Sequence, residues 1–125
     1  MKGIPSAQGD VSDFDAILPA FEGIDTGLHL SAYTEDVYEW ECTERVNIRG
    51  TYNVYEAARI HGVNRVIFAN SGGTMLGYEL ESPYTEIAAA EYDSIPQVYP
   101  ILTHLDPVRP NSICYVSKVF GEVLV

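Results

Sequence analysis

The stretch Arg65-Val66-Ile67-Phe68-Ala69 is a continuous run of β-prone residues in the middle of the chain. Such a run is typical of a parallel strand whose two faces are both covered by helices. It stops at Asn70-Ser71-Gly72-Gly73, and it follows a segment, from about residue 36 to residue 61, with apolar residues every three or four positions and Gly62 at its end. We therefore expect a long helix, a turn and a buried strand.

Strand-like and helix-like segments alternate on the N-terminal side of this unit. Residues 24–32 predict a second strand, and residues 1–8 predict a poor one. Between them, residues 12–23 have apolar positions at helical spacing, with Ser12 as the expected N-cap and Pro19 expected to shorten the helix. This alternation indicates an α/β fold with a parallel sheet and helices on both faces.

The last third of the chain has a different pattern. Five prolines fall between residues 77 and 110, so we expect mostly irregular chain there, with a short helical piece at residues 87–91. Long irregular segments of this kind usually bind a ligand or a partner. A last helix is expected to begin near Ser112 and to run to the end of the sequence.

Composition and charge exclude several classes of protein. The 125 residues include 7 Lys and Arg against 18 Asp and Glu, a formal net charge of −11. This excess repels nucleic acid and anionic lipid, so neither is expected as a partner. No apolar run is long enough to span a bilayer, and we expect a cytoplasmic protein. Cys42 and Cys114 are interpreted as free thiols, and no metal-ligand spacing is present.

Six short motifs occur along the chain in a specific order and spacing. They are Gly9 to Val11, Leu28 to Ala32, Asn47 to Ala58, Val66 to Ser71, Pro107 to Pro110, and Tyr115 to Glu122. Together they resemble the NAD-dependent epimerase/dehydratase family, the extended short-chain dehydrogenases/reductases. The resemblance covers nearly the whole chain. It implies a Rossmann-like sheet, NAD or NADP as cofactor, and hydride transfer on a small-molecule substrate such as a sugar nucleotide.

The resemblance implies cofactor-binding residues near the carboxyl ends of the strands. Asp10 matches the residue that accepts from the adenine amino group, and Val11 matches the residue that packs on the ring. The ribose and pyrophosphate are expected to meet Leu30, Ser31 and Ala32. Taken without the resemblance, the motif around Asp10 is better explained as a turn with a helix-capping acid.

The resemblance also implies a catalytic set. Asn47 matches a helix asparagine that supports the active-site backbone, although an exposed polar helix residue explains it equally well. Ser71 matches the hydroxyl that holds the substrate oxygen, although Ser-Gly-Gly is also plain turn chemistry. Lys118 matches the lysine that binds the nicotinamide ribose and lowers the pKa of a tyrosine four residues earlier.

The sequence departs from the family pattern at that tyrosine. The position four residues before Lys118 holds Cys114, and Tyr115 is about 100° further round a regular helix. Both residues are candidates for the catalytic role: either Cys114 faces the substrate or the start of the helix is reshaped. A thiol is a weak hydrogen-bond donor, so we expect impaired or absent dehydrogenase chemistry.

The family's glycine-rich turn, which holds the cofactor pyrophosphate at a helix N-terminus, is missing from the sequence. We therefore expect residues 1–125 to be a partial Rossmann-like domain that lacks the N-terminal βαβ unit, a fragment of low stability that does not bind NADH alone. The alternative is a non-catalytic remnant that binds partners through its two long helices. Residues 44–58 and 117–125 match the helices that family members often pack together in a homodimer, although their apolar residues could equally face the sheet.

Overall fold

The computed structural model describes residues 6–124. Its sheet consists of two parallel strands, β1 (Thr26–His29) and β2 (Arg65–Phe68), in a register that places Leu28 beside Ile67. The predicted α/β class with a parallel sheet is confirmed. The two strands pair with each other directly, and both are shorter than the segments expected from the sequence.

The expected first strand, residues 1–8, lies largely outside the described residues. Residues 6–10 form no strand, so the described chain enters the fold as irregular backbone. Gly9 approaches the first helix closely, since a Cβ built on it would lie 3.3 Å from the carbonyl oxygen of Ala16. The N-terminal segment is therefore held against a helix rather than paired in the sheet.

The first helix is short, as Pro19 predicts. Helix α1 (Phe14–Ile17) continues as a 3₁₀ turn at Leu18–Phe21, with Pro19 in its first turn. Its N-cap is Asp13, whose carboxylate accepts from the backbone N–H of Ala16, and not Ser12 as the sequence suggested. Asp13 fits this role because its extended backbone points the carboxylate back at the free N–H groups of the first turn.

The long central helix has three parts. Helix α2 (Trp40–Cys42) is followed by a π-helical segment (Thr43–Arg49), and then by α3 (Gly50–His61). Gly62 ends it in the left-handed conformation, with φ 65°, as the sequence predicts. The wider turn of a π-helix changes which side chains face inward, and such segments are frequent at functional sites.

The C-terminal part surrounds the end of β2. A long 3₁₀ segment, Gly72–Leu80, follows the strand, and helix α4 (Tyr84–Ala88) lies slightly earlier than the short helix expected there. Irregular chain then leads to helix α5 (Ile113–Val123), whose N-cap Ser112 accepts from the backbone N–H of Tyr115. The predicted start of this helix is confirmed.

Helices α3 and α5 cover one face of the sheet. The His29 ring contacts α3, and Gly121 of α5 lies so close to the Phe68 ring that a Cβ on it would overlap the ring. On the opposite face Leu28 is 62% exposed and Ile67 48%. The fold thus differs in one respect from the expectation of helices on both faces, because no described helix covers this second face.

The accessible surface is large for the mass of the chain. It is 8646 Å² for 13.8 kDa, whereas a compact monomer of this mass exposes about 6,600 Å². Few apolar side chains are fully buried, and the largest fully buried side chains are small and polar: Thr43, Thr51 and Ser117. Much apolar surface therefore stays in contact with water.

Candidate functional site

Asn47 fixes the loop that follows β1. It lies in the π-helical segment and is 2% exposed. Its side-chain Oδ1 accepts from the backbone N–H of Tyr33 at 2.7 Å, and its Nδ2 donates to the carbonyl oxygen of Tyr33 at 3.0 Å. This double contact anchors the loop to the central helix, so Asn47 supports the backbone of the loop rather than facing solvent.

Cys114 and Tyr115 point in different directions from the start of α5. Cys114 is buried, with its Sγ 3.6 Å from the Tyr33 carbonyl oxygen and 3.8 Å from Nδ2 of Asn47. The Tyr115 ring instead packs directly on the backbone of Gly73, where a Cβ would overlap it. The thiol therefore contacts the Asn47 cluster, and the phenol lies against the turn that begins with Ser71.

Lys118 brings a cation to the end of β2. The side chain is largely buried, and its Nζ donates to the carbonyl oxygen of Ala69 at 2.9 Å and lies 5.0 Å from the centre of the Phe68 ring. Burial lowers the pKa of Lys118 below its ordinary value. Among residues 6–124 the ammonium group donates to this one carbonyl oxygen, which leaves two of its three protons for another acceptor.

Ser71 is positioned by its own turn. Its Oγ accepts from the backbone N–H of Gly73 at 3.1 Å, and its backbone N–H donates to Oδ1 of Asn70. Ser71 thereby caps the 3₁₀ segment, which is the turn chemistry that the sequence also allowed. Its hydroxyl hydrogen is not used in these contacts, so the residue can cap the turn and still donate to a substrate.

His29 connects the two strands to the helices. Its Nε2 lies 3.0 Å from Oγ1 of Thr51, and its ring centroid lies 5.5 Å from that of Phe68. Burial, and next the charge of Lys118, lower the pKa of His29. The histidine is therefore a neutral, hydrogen-bonded residue of the interior.

Some of the expected cofactor residues share one groove. It has a volume of about 360 Å³ and runs along the outer side of β1, where Gly9, Val11 and Ser31 contribute to its wall. Leu30 is exposed and Ala32 half-buried in the same loop. Of the candidates, the structure thus brings Val11 and Ser31 together in this groove, whereas the groove lining does not include Asp10, Leu30 or Ala32.

Asp10 and Val11 already have partners within the chain. The carboxylate of Asp10 accepts from the backbone N–H and hydroxyl of Ser12, and forms an ion pair with Arg45 at 2.6 Å. These contacts lower the pKa of Asp10, the backbone N–H of Ser12 most. Val11 packs on Gly50 of the central helix, and its carbonyl oxygen accepts from Asn53. Both residues therefore act in the entry turn, as the turn interpretation requires.

A second pocket adjoins Ser71 and was not anticipated from the sequence. Its volume is about 270 Å³, and its wall includes Asn70, Met75, Leu102, His104, Asp106 and Glu122. Asn70 precedes Ser71, and Glu122 lies one turn beyond Lys118 on α5. Glu122 ends one of the six motifs quoted above, and its spacing of four from Lys118 places both residues on one helix face.

Metal-binding clusters and membrane-spanning helices are both missing from the described part of the chain. Within residues 6–124, no group of three or more His, Cys, Asp or Glu side chains is arranged to hold a metal ion. Over the same residues, no helix has both the length and the apolar character needed to cross a bilayer. The pockets beside β1 and Ser71 are the ones that adjoin the residues singled out from the sequence.

A parallel strand pair with helices packed against it makes this an α/β protein, and its polar residues lie at the carboxyl ends of the strands, where Rossmann-type sheets bind their ligands. Sequence comparison gives the same class. A model of the 3-beta hydroxysteroid dehydrogenase/isomerase family matches residues 2–96, and the chain belongs to this family. The resemblance to the extended short-chain dehydrogenases/reductases is confirmed.

Two of the curated relatives are an arabinose dehydrogenase and a uronate dehydrogenase. The chain is 39% identical over 124 residues to L-arabinose 1-dehydrogenase (NAD(P)(+)) of Haloferax volcanii, a match that covers 98% of this chain and 46% of the relative. It is 37% identical over 117 residues to uronate dehydrogenase of Agrobacterium fabrum, covering 94% of this chain and 37% of the relative. The chain therefore spans less than half the length of these relatives.

Solved structures agree with the fold. A variant of uronate dehydrogenase from Agrobacterium tumefaciens complexed with NAD superposes with a TM-score of 0.70 and 32% identity, covering 99% of this chain and 42% of that one. Glucuronic acid dehydrogenase from Chromohalobacter salexigens gives a TM-score of 0.69 at 31% identity, with 99% and 41% coverage. Nearly all of this chain thus corresponds to one part of a larger dehydrogenase fold.

Proposed function

We propose that this chain is the part of an NAD(P)-dependent sugar dehydrogenase that contains the catalytic lysine and part of the substrate site. The observation that carries the proposal is the buried Lys118, held on the Ala69 carbonyl oxygen two residues before Ser71. The fold family and the names of the relatives support hydride transfer on a sugar hydroxyl. The two relatives described above are named for free sugars, which favours a free sugar over the sugar nucleotide expected from the sequence.

The residues present fit one end of a nicotinamide dinucleotide. Lys118 has two free ammonium protons for a ribose hydroxyl, and Ser31 lines the groove beside β1. The pyrophosphate end has no matching glycine-rich turn in the sequence, and Asp10 is already paired with Arg45. When bound, the cofactor accepts or donates the hydride, while the chain's own residues hold the ribose and the substrate oxygen.

Proton transfer is the step of the reaction for which the residues present are least suited. Catalysis of this kind needs a group that exchanges a proton with the substrate hydroxyl. Cys114 is buried against Tyr33 and Asn47, and Tyr115 occupies a helix position one residue later than the family tyrosine. We therefore propose that the chain with its present residues is a poor dehydrogenase, and the alternative of a non-catalytic remnant rests on the same contacts.

A chimeric enzyme tests the proposed function. This chain replaces the matching segment of the L-arabinose 1-dehydrogenase of Haloferax volcanii, so that the rest of the relative is supplied. We expect slow oxidation of L-arabinose with NAD(P)⁺, and an increase of about 100-fold or more with Cys114→Tyr plus Tyr115→Gly. Lys118→Met in that background should abolish the gain. A chimera that folds and binds the cofactor, yet shows no activity with the double substitution, would refute the proposal.

The homodimer expected through the two long helices is also a proposal. The outer side of these helices exposes apolar side chains: Tyr52 and Ile60 on α3, and Val116 and Val123 on α5. Exposed apolar side chains on both helices support the proposal that the two helices pair across a two-fold axis. By sedimentation analysis the chain should be a dimer, and Ile60→Glu should be a monomer because it places a charge in the interface. A monomer at millimolar concentration contradicts the prediction. The cytoplasmic location likewise stays a prediction.

A further inference from the structure

The pocket beside Ser71 is well placed to hold the part of a substrate away from the reacting carbon. It lies between the end of β2, the irregular chain at residues 102–108 and the last turn of α5. Asn70 on its wall donates to Glu122 at 2.8 Å and accepts from the backbone N–H of Ser71. A ligand in the pocket therefore contacts a network that reaches Ser71 directly.

The hydrogen bonds around the pocket leave acceptors unused. Glu122 accepts from Asn70 through Oε2, and Asp106 accepts from the backbone N–H and hydroxyl of Thr103 through Oδ2. The other oxygens, Oε1 of Glu122 and Oδ1 of Asp106, accept no hydrogen bond from residues 6–124. The backbone N–H of Thr103, and secondarily its hydroxyl, lower the pKa of Asp106, so this carboxyl is ionised at neutral pH. The pocket offers free acceptors to a ligand that carries donors.

The charge of the wall distinguishes two kinds of sugar. Two carboxylates line the pocket, and its described wall contains no lysine or arginine. A uronate carboxylate would meet like charges, whereas a neutral sugar presents hydroxyl donors to the free oxygens. Met75, Leu102 and Val108 add apolar surface for the C–H face of a sugar ring.

We propose that this pocket binds a neutral aldose through Asp106 and Glu122 and discriminates against uronates. Its identification as a substrate subsite rests on the proposed function. The pocket volume of about 270 Å³ is just below the usual range for small-molecule sites, so the pocket suits a ligand as small as a monosaccharide. The residues concerned are distinct from those that hold the ribose or the reacting oxygen.

Sugar binding by the full chain tests this proposal without any turnover. Titrations with L-arabinose and with D-glucuronate are followed by NMR chemical shifts at pH 7. A unit charge about 5 Å from each carboxylate in water changes affinity about fourfold, so two carboxylates together predict a preference of about 16-fold for L-arabinose. Asp106→Asn combined with Glu122→Gln should reduce this preference to about twofold or less. Glu41→Gln, an exposed acid on α2, is the control for net charge and should leave it unchanged.

Each outcome decides the proposal. Saturable L-arabinose binding with shifts at Asn70 and Glu122, and a preference that depends on the two carboxylates, supports it. The proposal is overturned if D-glucuronate binds as tightly as L-arabinose or more tightly, or if neither sugar binds. It is also overturned if Glu41→Gln reduces the preference as much as the double substitution does. This experiment and the chimeric enzyme can fail separately. Sugar binding without activity in the chimera would refute the proposed dehydrogenase but not the sugar-binding pocket. Activity in the chimera without sugar binding at the pocket would refute the pocket but not the dehydrogenase.

Discussion

Replacing Asn47 with alanine should destabilise the chain more than the same replacement of the other buried asparagine on the central helix, Asn53. The substitution removes both hydrogen bonds to the Tyr33 backbone, at 2.7 and 3.0 Å, from a side chain that is 2% exposed. Each lost bond is worth about 1 kcal/mol, and a partly buried N–H left without a partner costs about 1–3 kcal/mol. We therefore expect a loss of about 2–4 kcal/mol in the free energy of unfolding.

Asn53 provides the matched control for this measurement. Among residues 6–124 its buried side chain makes a single hydrogen bond, from Nδ2 to the Val11 carbonyl oxygen at 3.1 Å. Asn53→Ala should therefore cost about half as much. Urea unfolding followed by the fluorescence of Trp40 gives both values, with sucrose added to all samples if the chain is marginally stable.

Thiol reactivity gives a second, local measurement of the same substitution. Cys114 is buried against the Tyr33 carbonyl oxygen, and Cys42 is half-buried and serves as the internal reference. Asn47→Ala should accelerate modification of Cys114 relative to Cys42. If Asn47→Ala costs no more than Asn53→Ala, and Cys114 stays protected, then the loop after β1 is not held by Asn47 and the reasoning fails.

Three further predictions follow from the interior and the surface. The pKa of His29 is lowered in the folded chain, so on acidification the unfolded chain takes up this proton first. The stability that His29 contributes is therefore complete above about pH 6.5 and falls as the pH drops below that value. His29→Gln should make the urea midpoint depend less on pH between about pH 7 and 5.5. Gly73→Ala places a methyl group in the Tyr115 ring and should cost about 1–3 kcal/mol by urea unfolding, with recovery in the Tyr115→Ala background. The net charge of −11 predicts self-repulsion, so raising NaCl from 0.02 to 1 M should raise the melting temperature by about 5 °C; an unchanged value would contradict it.

The spacing of apolar residues and the residues that cap helices were sufficient to predict much of the fold. Gly62 and Ser112 end and begin their helices as predicted, because a left-handed glycine and a capping hydroxyl act locally. The parallel class of the sheet followed from the apolar run at β2 and from the alternation of strand-like and helix-like segments. The N-cap at Asp13 was missed because two neighbouring residues could both cap, and only backbone geometry separates them.

The candidate site was less accessible from the sequence. Lys118 was placed by its motif, but the directions of Cys114 and Tyr115 depend on what each side chain packs against. Tyr115 fits where it does because residue 73 has no Cβ, a long-range contact that local spacing does not encode. The pocket acids, Asp106 and Glu122, come from an irregular loop and a helix end with no shared motif. Their proximity follows only from the packing of α5 against the end of β2.

The outer edge of β1 has a consequence for the behaviour of the purified chain. Backbone groups of Thr26 and Leu28 on that side have no strand partner among residues 6–124, and the neighbouring Leu28 side chain is 62% exposed. Unprotected strand edges recruit the edges of other molecules, and natural proteins often block them with a lysine. Concentrated solutions should accordingly form intermolecular β-structure over time, and Leu28→Lys is the substitution that would keep the chain dispersed.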